Sequence, residues 1–78
     1  MTRYFFNVRN GQDLKLDEEG ADFDTLDLAI DEAVASAREI VAERVKSGEL
    51  IDGKRFEITT EAGEVVHTIP FRATFHLE

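Results

Sequence analysis

From Thr25 to Ser47 the apolar positions recur at steps of three and four. Leu26, Ala29, Ile30, Ala33, Val34, Ala37, Ile40, Val41 and Val45 fall on one stripe of an α-helix, and Asp27, Asp31, Glu32, Arg38, Glu39, Glu43 and Lys46 fall mainly on the other side. The spacing predicts one long amphipathic helix over Thr25–Ser47. Asp24 or Thr25 can cap its first free N–H groups. With Asp24 as the cap, Phe23 and Leu28 occupy the staple positions. Ser47-Gly48 supplies a left-handed stop. Acids early in the helix and Arg44 and Lys46 late complement its dipole. Ile30, Val34, Ala37 and Val41 are the expected core residues, and the small side chains of Ala29, Ala33 and Ala37 allow a sheet to approach closely.

On either side of this stretch the pattern changes to a period of two. In Arg3–Val8, Tyr4, Phe6 and Val8 share one face, and Arg3, Phe5 and Asn7, with Arg9 beyond, share the other. Asn10-Gly11 marks a turn and Asp13–Leu16 returns. A three-residue loop, Arg9-Asn10-Gly11, sets Phe6 opposite Leu14 and Tyr4 opposite Leu16, which keeps one face apolar. A two-residue turn sets Leu14 opposite Asn7. The first register is preferred, with Gly11 as the left-handed residue of a bulge. Asp17–Asp24 (DEEGADFD) reads as an acidic loop. After the helix, Leu50-Ile51 is expected to fold back on the helix end and Asp52-Gly53 to turn. Arg55–Thr60 is a third strand with Phe56 and Ile58 inward. Glu61-Ala62-Gly63-Glu64 is a second hairpin loop. Val65–Ile69 is a fourth strand, preferred with Val65, His67 and Ile69 inward. Pro70 cannot donate to a ladder, so it ends that strand or lies at an edge. Phe71 and Phe75 are expected to close the core.

The resulting fold class is α+β: ββαββ, a four-stranded, antiparallel-dominated sheet with one long helix packed on one face. Strands one and three in the centre give the order 2-1-3-4, and 2-1-4-3 stays open. At 78 residues the chain reads as one domain over residues 1–76, with Leu77-Glu78 resembling a vector-derived scar.

Composition narrows the chemistry. A chain this short buries only roughly 60–65% of its unfolded surface, and it has no cysteine to reinforce the core. Self-association is then a common route to more buried area. The absence of cysteine fits a reducing cytoplasm. A net charge of −8 opposes wholesale binding to duplex nucleic acid or anionic membrane. No apolar run approaches the ~20 residues of a membrane span. MTRYFFNVRN carries no signal-peptide h-region, so no secretion signal is expected.

Several motifs taken in chain order carry a family likeness. They are Tyr4-Phe5-Phe6-x-Val8-Arg9-x-Gly11, Asp17-Glu18-Glu19-Gly20, Asp52-Gly53, Phe56-x-Ile58-Thr59 and Thr68-Ile69-Pro70-Phe71. Together, from Arg3 to Phe71, they resemble a family of short uncharacterised alphaproteobacterial proteins, a domain of unknown function. The resemblance implies no catalytic residue, cofactor or partner.

The residues themselves offer little chemistry beyond binding. Asp13 to Glu32 holds nine acids against Lys15 alone. An EF-hand loop fails in both frames: from Asp17 the sixth and twelfth positions are Asp22 and Leu28, and from Asp22 they are Asp27 and Ala33. The acids are read as a solvated turn with helix-capping residues, and no metal site is assigned. His67 and His76 lack the convergent ligands zinc needs. Ser36 and Ser47 lie outside any nucleophile elbow, and no glycine-rich phosphate loop occurs. Neither a cofactor nor an enzymatic activity is expected. The candidate binding surface is the sheet face turned away from the helix, with Arg3, Phe5, Asn7 and Arg9 from strand one and Lys15 from strand two. Phe5 among arginines fits a self-association surface, a ring covered by Phe75, or a platform for a nucleobase. The expected function is a small non-catalytic interaction module that forms a homodimer or engages a protein partner. The alternative is a single-strand nucleic-acid or acidic-ligand binder on the outer sheet face.

Overall fold

The computed structural model describes residues 1–46 and 53–74. Its elements are β1 (Thr2–Asn10), β2 (Asp13–Lys15), β3 (Ala21–Phe23), α1 (Leu26–Lys46), β4 (Lys54–Thr60), β5 (Val65–Pro70) and a 3₁₀-helix (Phe71–Thr74). The sheet runs β2-β1-β4-β5 with every pair antiparallel, and β3 also pairs with β1. The expected α+β architecture and the 2-1-3-4 order of the four anticipated strands are both present. The expected cover from Leu50-Ile51 and Phe75, and the stop at Ser47-Gly48, lie outside the described residues.

The helix begins as its sequence demands. Thr25 Oγ1 accepts the Leu28 N–H at 3.2 Å and Thr25 O accepts the Ala29 N–H at 3.3 Å, so Thr25 is the cap. The staple that an Asp24 cap would make is lost, and Leu28 is exposed. The buried stripe is Ala29, Ala33, Ala37 and Val41. Ile30 and Val34, expected at its centre, are half-buried on its flank. The alanines explain the shift. Having no bulk, they take the line of closest approach, and the larger branched residues pack beside it.

Against this stripe sit Phe56, Ile58, Ile69 and Phe71, all buried, with Tyr4, Phe6, Val8 and Val66 around them. The inward phases expected for strands one and three hold. Aromatic rings form a continuous series across this face. Tyr4 and Phe6 lie 6.3 and 5.8 Å from Phe23, Phe6 lies 5.8 Å from Phe56, and Phe56 meets Phe71 edge-on at 4.9 Å.

Two registers differ from expectation. In β2, Arg9 pairs with Leu14 and Asn10 with Asp13, across a two-residue turn of Gly11 (φ 63°) and Gln12. That suits a turn with glycine at its first central position. Leu14 therefore lies opposite Arg9 rather than Phe6. The apolar partner of Phe6 and Tyr4 comes instead from Phe23, on a strand the acidic stretch conceals. In β5, Ile58 pairs with His67 and Thr59 with Val65, so Val66 is the extra residue of a bulge. The bulge sends Val66 to the core while Val65 and His67 are exposed. It thereby resolves the double valine against the inward phase expected for Val65, whereas Ile69 is buried opposite Phe56 as expected and His67, opposite Ile58, is exposed. Pro70 closes β5, which is an edge strand, as its missing N–H requires.

Ile58 is fully buried at the sheet centre, whereas Leu28 is half exposed on the helix. Ile58→Ala should lower the free energy of unfolding by about 2–5 kcal/mol. Leu28→Ala should change it by no more than about 0.5 kcal/mol. Urea denaturation followed by circular dichroism reads both.

Candidate functional site

The outer sheet face is built from the odd-numbered residues of β1. Asn7 pairs with Glu57, Phe5 with Thr59 and Arg9 with Arg55 on β4, and Glu57 and Arg55 pair in turn with Thr68 and Pro70 on β5. Arg3, Phe5, Asn7 and Arg9 lie on this face as expected. Lys15 does not: it pairs with Val8, so the pleat turns it to the helix side. The turn at Gly11-Gln12 is the cause: it moves the register by three residues from the expected one, and an odd shift inverts every side chain of β2. Leu14 takes the outward position beside Arg9.

Half of this face is already occupied by the chain itself. Between Asp17 and Ala21 the acidic loop leaves the β1 edge and folds over Phe5. Asp17 organises it. One carboxylate oxygen accepts the Phe6 N–H at 3.1 Å. The other accepts the N–H groups of Glu19 and Gly20 at 3.3 and 3.2 Å. Its own N–H donates to Asn7 Oδ1 at 2.9 Å, and Asn7 Nδ2 donates to Thr59 Oγ1 at 3.2 Å. Asn7 is thus a buried, fully engaged side chain rather than a free contact. Arg3 donates to the Glu19 carbonyl at 2.6 Å and reaches Asp22 at 3.2 Å. Phe5 is half-buried, and its ring lies against Gly20. A Cβ built on Gly20 would stand 2.8 Å from Phe5 Cε1 and 3.0 Å from the Tyr4 carbonyl, and the backbone there has φ 68°. Both space and dihedral call for glycine.

The acidic loop is therefore a structural clasp. Both oxygens of Asp17 are engaged by backbone donors. Among the described residues, no group of three histidine, aspartate or glutamate side chains is placed to hold a metal ion. The sequence identified Asp17 and Gly20 within a motif but not their partners. The signal available was a lone Asp-x-x-Gly next to an apolar Phe23, a loop that returns to the sheet.

The other half of the face stays open. Arg9 Nε and Arg55 Nη2 both reach the same oxygen of Glu57, at 3.2 and 3.5 Å, so one carboxylate serves two guanidinium groups. Around them lie Leu14, Thr68 and Pro70, all exposed, and Val65 is exposed farther along β5, opposite Thr59. A shallow groove of about 770 Å³ runs along the β2 edge, lined by Phe6, Val8, Leu14, Lys15, Leu16, Asp17, Glu18 and Glu19. Among the described residues no buried side-chain nitrogen or oxygen lacks a partner. No helix among them is long and apolar enough to cross a membrane.

The chain belongs to the family described as Domain of unknown function (DUF6894), whose model matches residues 3–72. No curated protein and no solved structure matches it. Phe5, Asp17 and Gly20, which meet in the clasp, all lie within the matched residues.

Two outcomes test the clasp. Gly11 and Gly20 have similar positive φ, but a Cβ at Gly11 meets nothing within 4 Å. Gly11→Ala should cost about 1 kcal/mol and Gly20→Ala at least about 2 kcal/mol in urea denaturation, the excess reporting the Phe5 contact. Millimolar Ca²⁺ should move the melting temperature by less than about 1 °C, since an ion that binds the native state would raise it. A rise of several degrees, abolished by Asp17→Asn with Glu19→Gln, would assign the loop to metal instead.

Proposed function

We propose that this domain is a small, non-catalytic, cytoplasmic interaction module that pairs with a second copy of itself through the β5 edge and the open half of the outer sheet face. The observation that carries this is the contrast between the two edges of the sheet. β5 (VVHTIP) is a six-residue edge strand without Lys, Arg, Asp or Glu, in a chain of which 33% is charged. An edge strand free of charge lacks one of the usual protections against pairing with another chain, while β5 keeps two others, the bulge at Val66 and the terminal Pro70. The opposite edge is broken into two three-residue strands and carries Asp13, Lys15 and Asp22. Two β5 strands pairing antiparallel about a two-fold axis would form an isologous interface. The exposed Val65, Thr68 and Pro70 would lie at that junction. The small core and the lack of cysteine give the chain reason to associate.

Relative to the sequence expectation, this surface moves away from Arg3, Phe5 and Asn7, which hold the clasp, and keeps Arg9. A second reading is an acidic-ligand or single-strand nucleic-acid binder on the same face. It draws on Arg9 and Arg55 sharing one carboxylate. The net charge of −8 weighs against nucleic acid.

Sedimentation equilibrium should return a dimer with a dissociation constant on the order of micromolar to hundreds of micromolar. The double variant Val65→Lys/Thr68→Lys should be monomeric with an unchanged circular-dichroism spectrum. A wild-type monomer at about 1 mM would rule the module out as self-associating.

A further inference from the structure

Where β4 begins and β5 stops, Gly53, Lys54, Arg55, Pro70 and Arg72 line a groove of about 420 Å³. Three of these five residues are cationic, on a chain whose net charge is −8. The fold brings them together. The β4–β5 register sets Arg55 beside Pro70, and the 3₁₀-helix that follows Pro70 carries Arg72. Gly53 is exposed with φ 89°, and among the described residues the nearest atom to a Cβ built there is Asn10 Oδ1 at 3.9 Å. Arg55 is 41% exposed. Its carboxylate partner, Glu57, is shared with Arg9, so one carboxylate serves two guanidinium groups here.

We infer that this groove is an anion-binding site for a small phosphate-bearing ligand. The chemistry follows from the donors. Guanidinium groups present several N–H donors in a fixed fork that matches phosphate oxygens, and an ammonium adds a compact charge. The size falls within the range of small-ligand sites. A small dianion also suits the protein's field better than a polyanion does. The cations act at contact distance, whereas repulsion from the acids beyond Glu57 is screened and grows with the charge of the ligand. The inference does not rest on self-association: the groove lies at the end of the β4–β5 pair and needs no second copy.

The test is a titration of the ¹⁵N-labelled full chain with inorganic phosphate, with ionic strength held constant by sodium chloride. The expected result is saturable amide shifts centred on Gly53, Lys54, Arg55 and Arg72, with a midpoint on the order of millimolar. Lys54→Gln and Arg55→Gln, each checked for an unchanged spectrum elsewhere, should weaken binding at least about fivefold. Shifts no larger than chloride alone produces, or spread evenly over the surface, would overturn the site, and the wild-type titration decides this even if a variant fails to fold. A parallel titration with a single-stranded DNA oligomer separates ligand classes. Binding more than about tenfold tighter than phosphate would overturn the small-ligand assignment in favour of nucleic acid.

Discussion

The carboxylate of Asp17 is the contact on which the rest of this fold depends. It meets the Phe6 N–H where the β2 ladder has ended, and it turns the backbone at Glu19 and Gly20. A hydrogen bond to a charged group contributes on the order of 1.5–3 kcal/mol where water is kept away. Its larger effect is geometric. Between Asp17 and Ala21 the edge spends three residues where β1, from Phe6 to Tyr4, spends one. That slack allows β3 to rejoin the sheet in a new register. The register delivers Phe23 to Phe6 and Tyr4, which links the start of the chain to the aromatic series ending at Phe71. One polar side chain on the outer face thus governs how the inner face is filled.

What was legible in the sequence is local and periodic. The helix, the inward phase of Tyr4, Phe6 and Val8, and that of Phe56 and Ile58 follow from spacing alone, because burial of one face imposes that spacing directly. The strand order was also reachable, since connections of this length leave few topologies. What was hidden depends on pairs distant in sequence. β3 has a single large apolar residue among acids, and its pairing comes from β1 rather than from its own propensity. The alternation in β2 pointed to Leu14 and Leu16 as core residues. They are exposed because Phe23 had already filled that place. The double valine of β5 could be placed only by a bulge, which periodicity does not encode.

The candidate surface shows the same division. Alternation correctly placed Arg3, Phe5, Asn7 and Arg9 on one face, but a face is not a free surface. Arg3, Phe5 and Asn7 are engaged with the loop, through the Glu19 carbonyl, Gly20 and the Asp17 N–H. These three residues lie next to the acidic loop in space because β3 brings it back, and nothing in the local pattern of β1 announces that. Arg9 is left with Arg55 and a shared Glu57 at the other end, where the acidic chain turns locally basic.

The split β2/β3 edge has a consequence for assembly as a matter of valency. A sheet that offers usable strands on both sides can add copies without limit, and that is the geometry of a fibril. Here the acidic bulge between the two short strands interrupts one side, and among the described strands β5, bulged at Val66 and closed by Pro70, is the longer continuous edge. A protomer with one such side can be extended once, and the pair so formed has no side left. If copies pair through β5 as proposed, the clasp that brings Phe23 to the inner face would also act as a chain terminator against open-ended polymerisation.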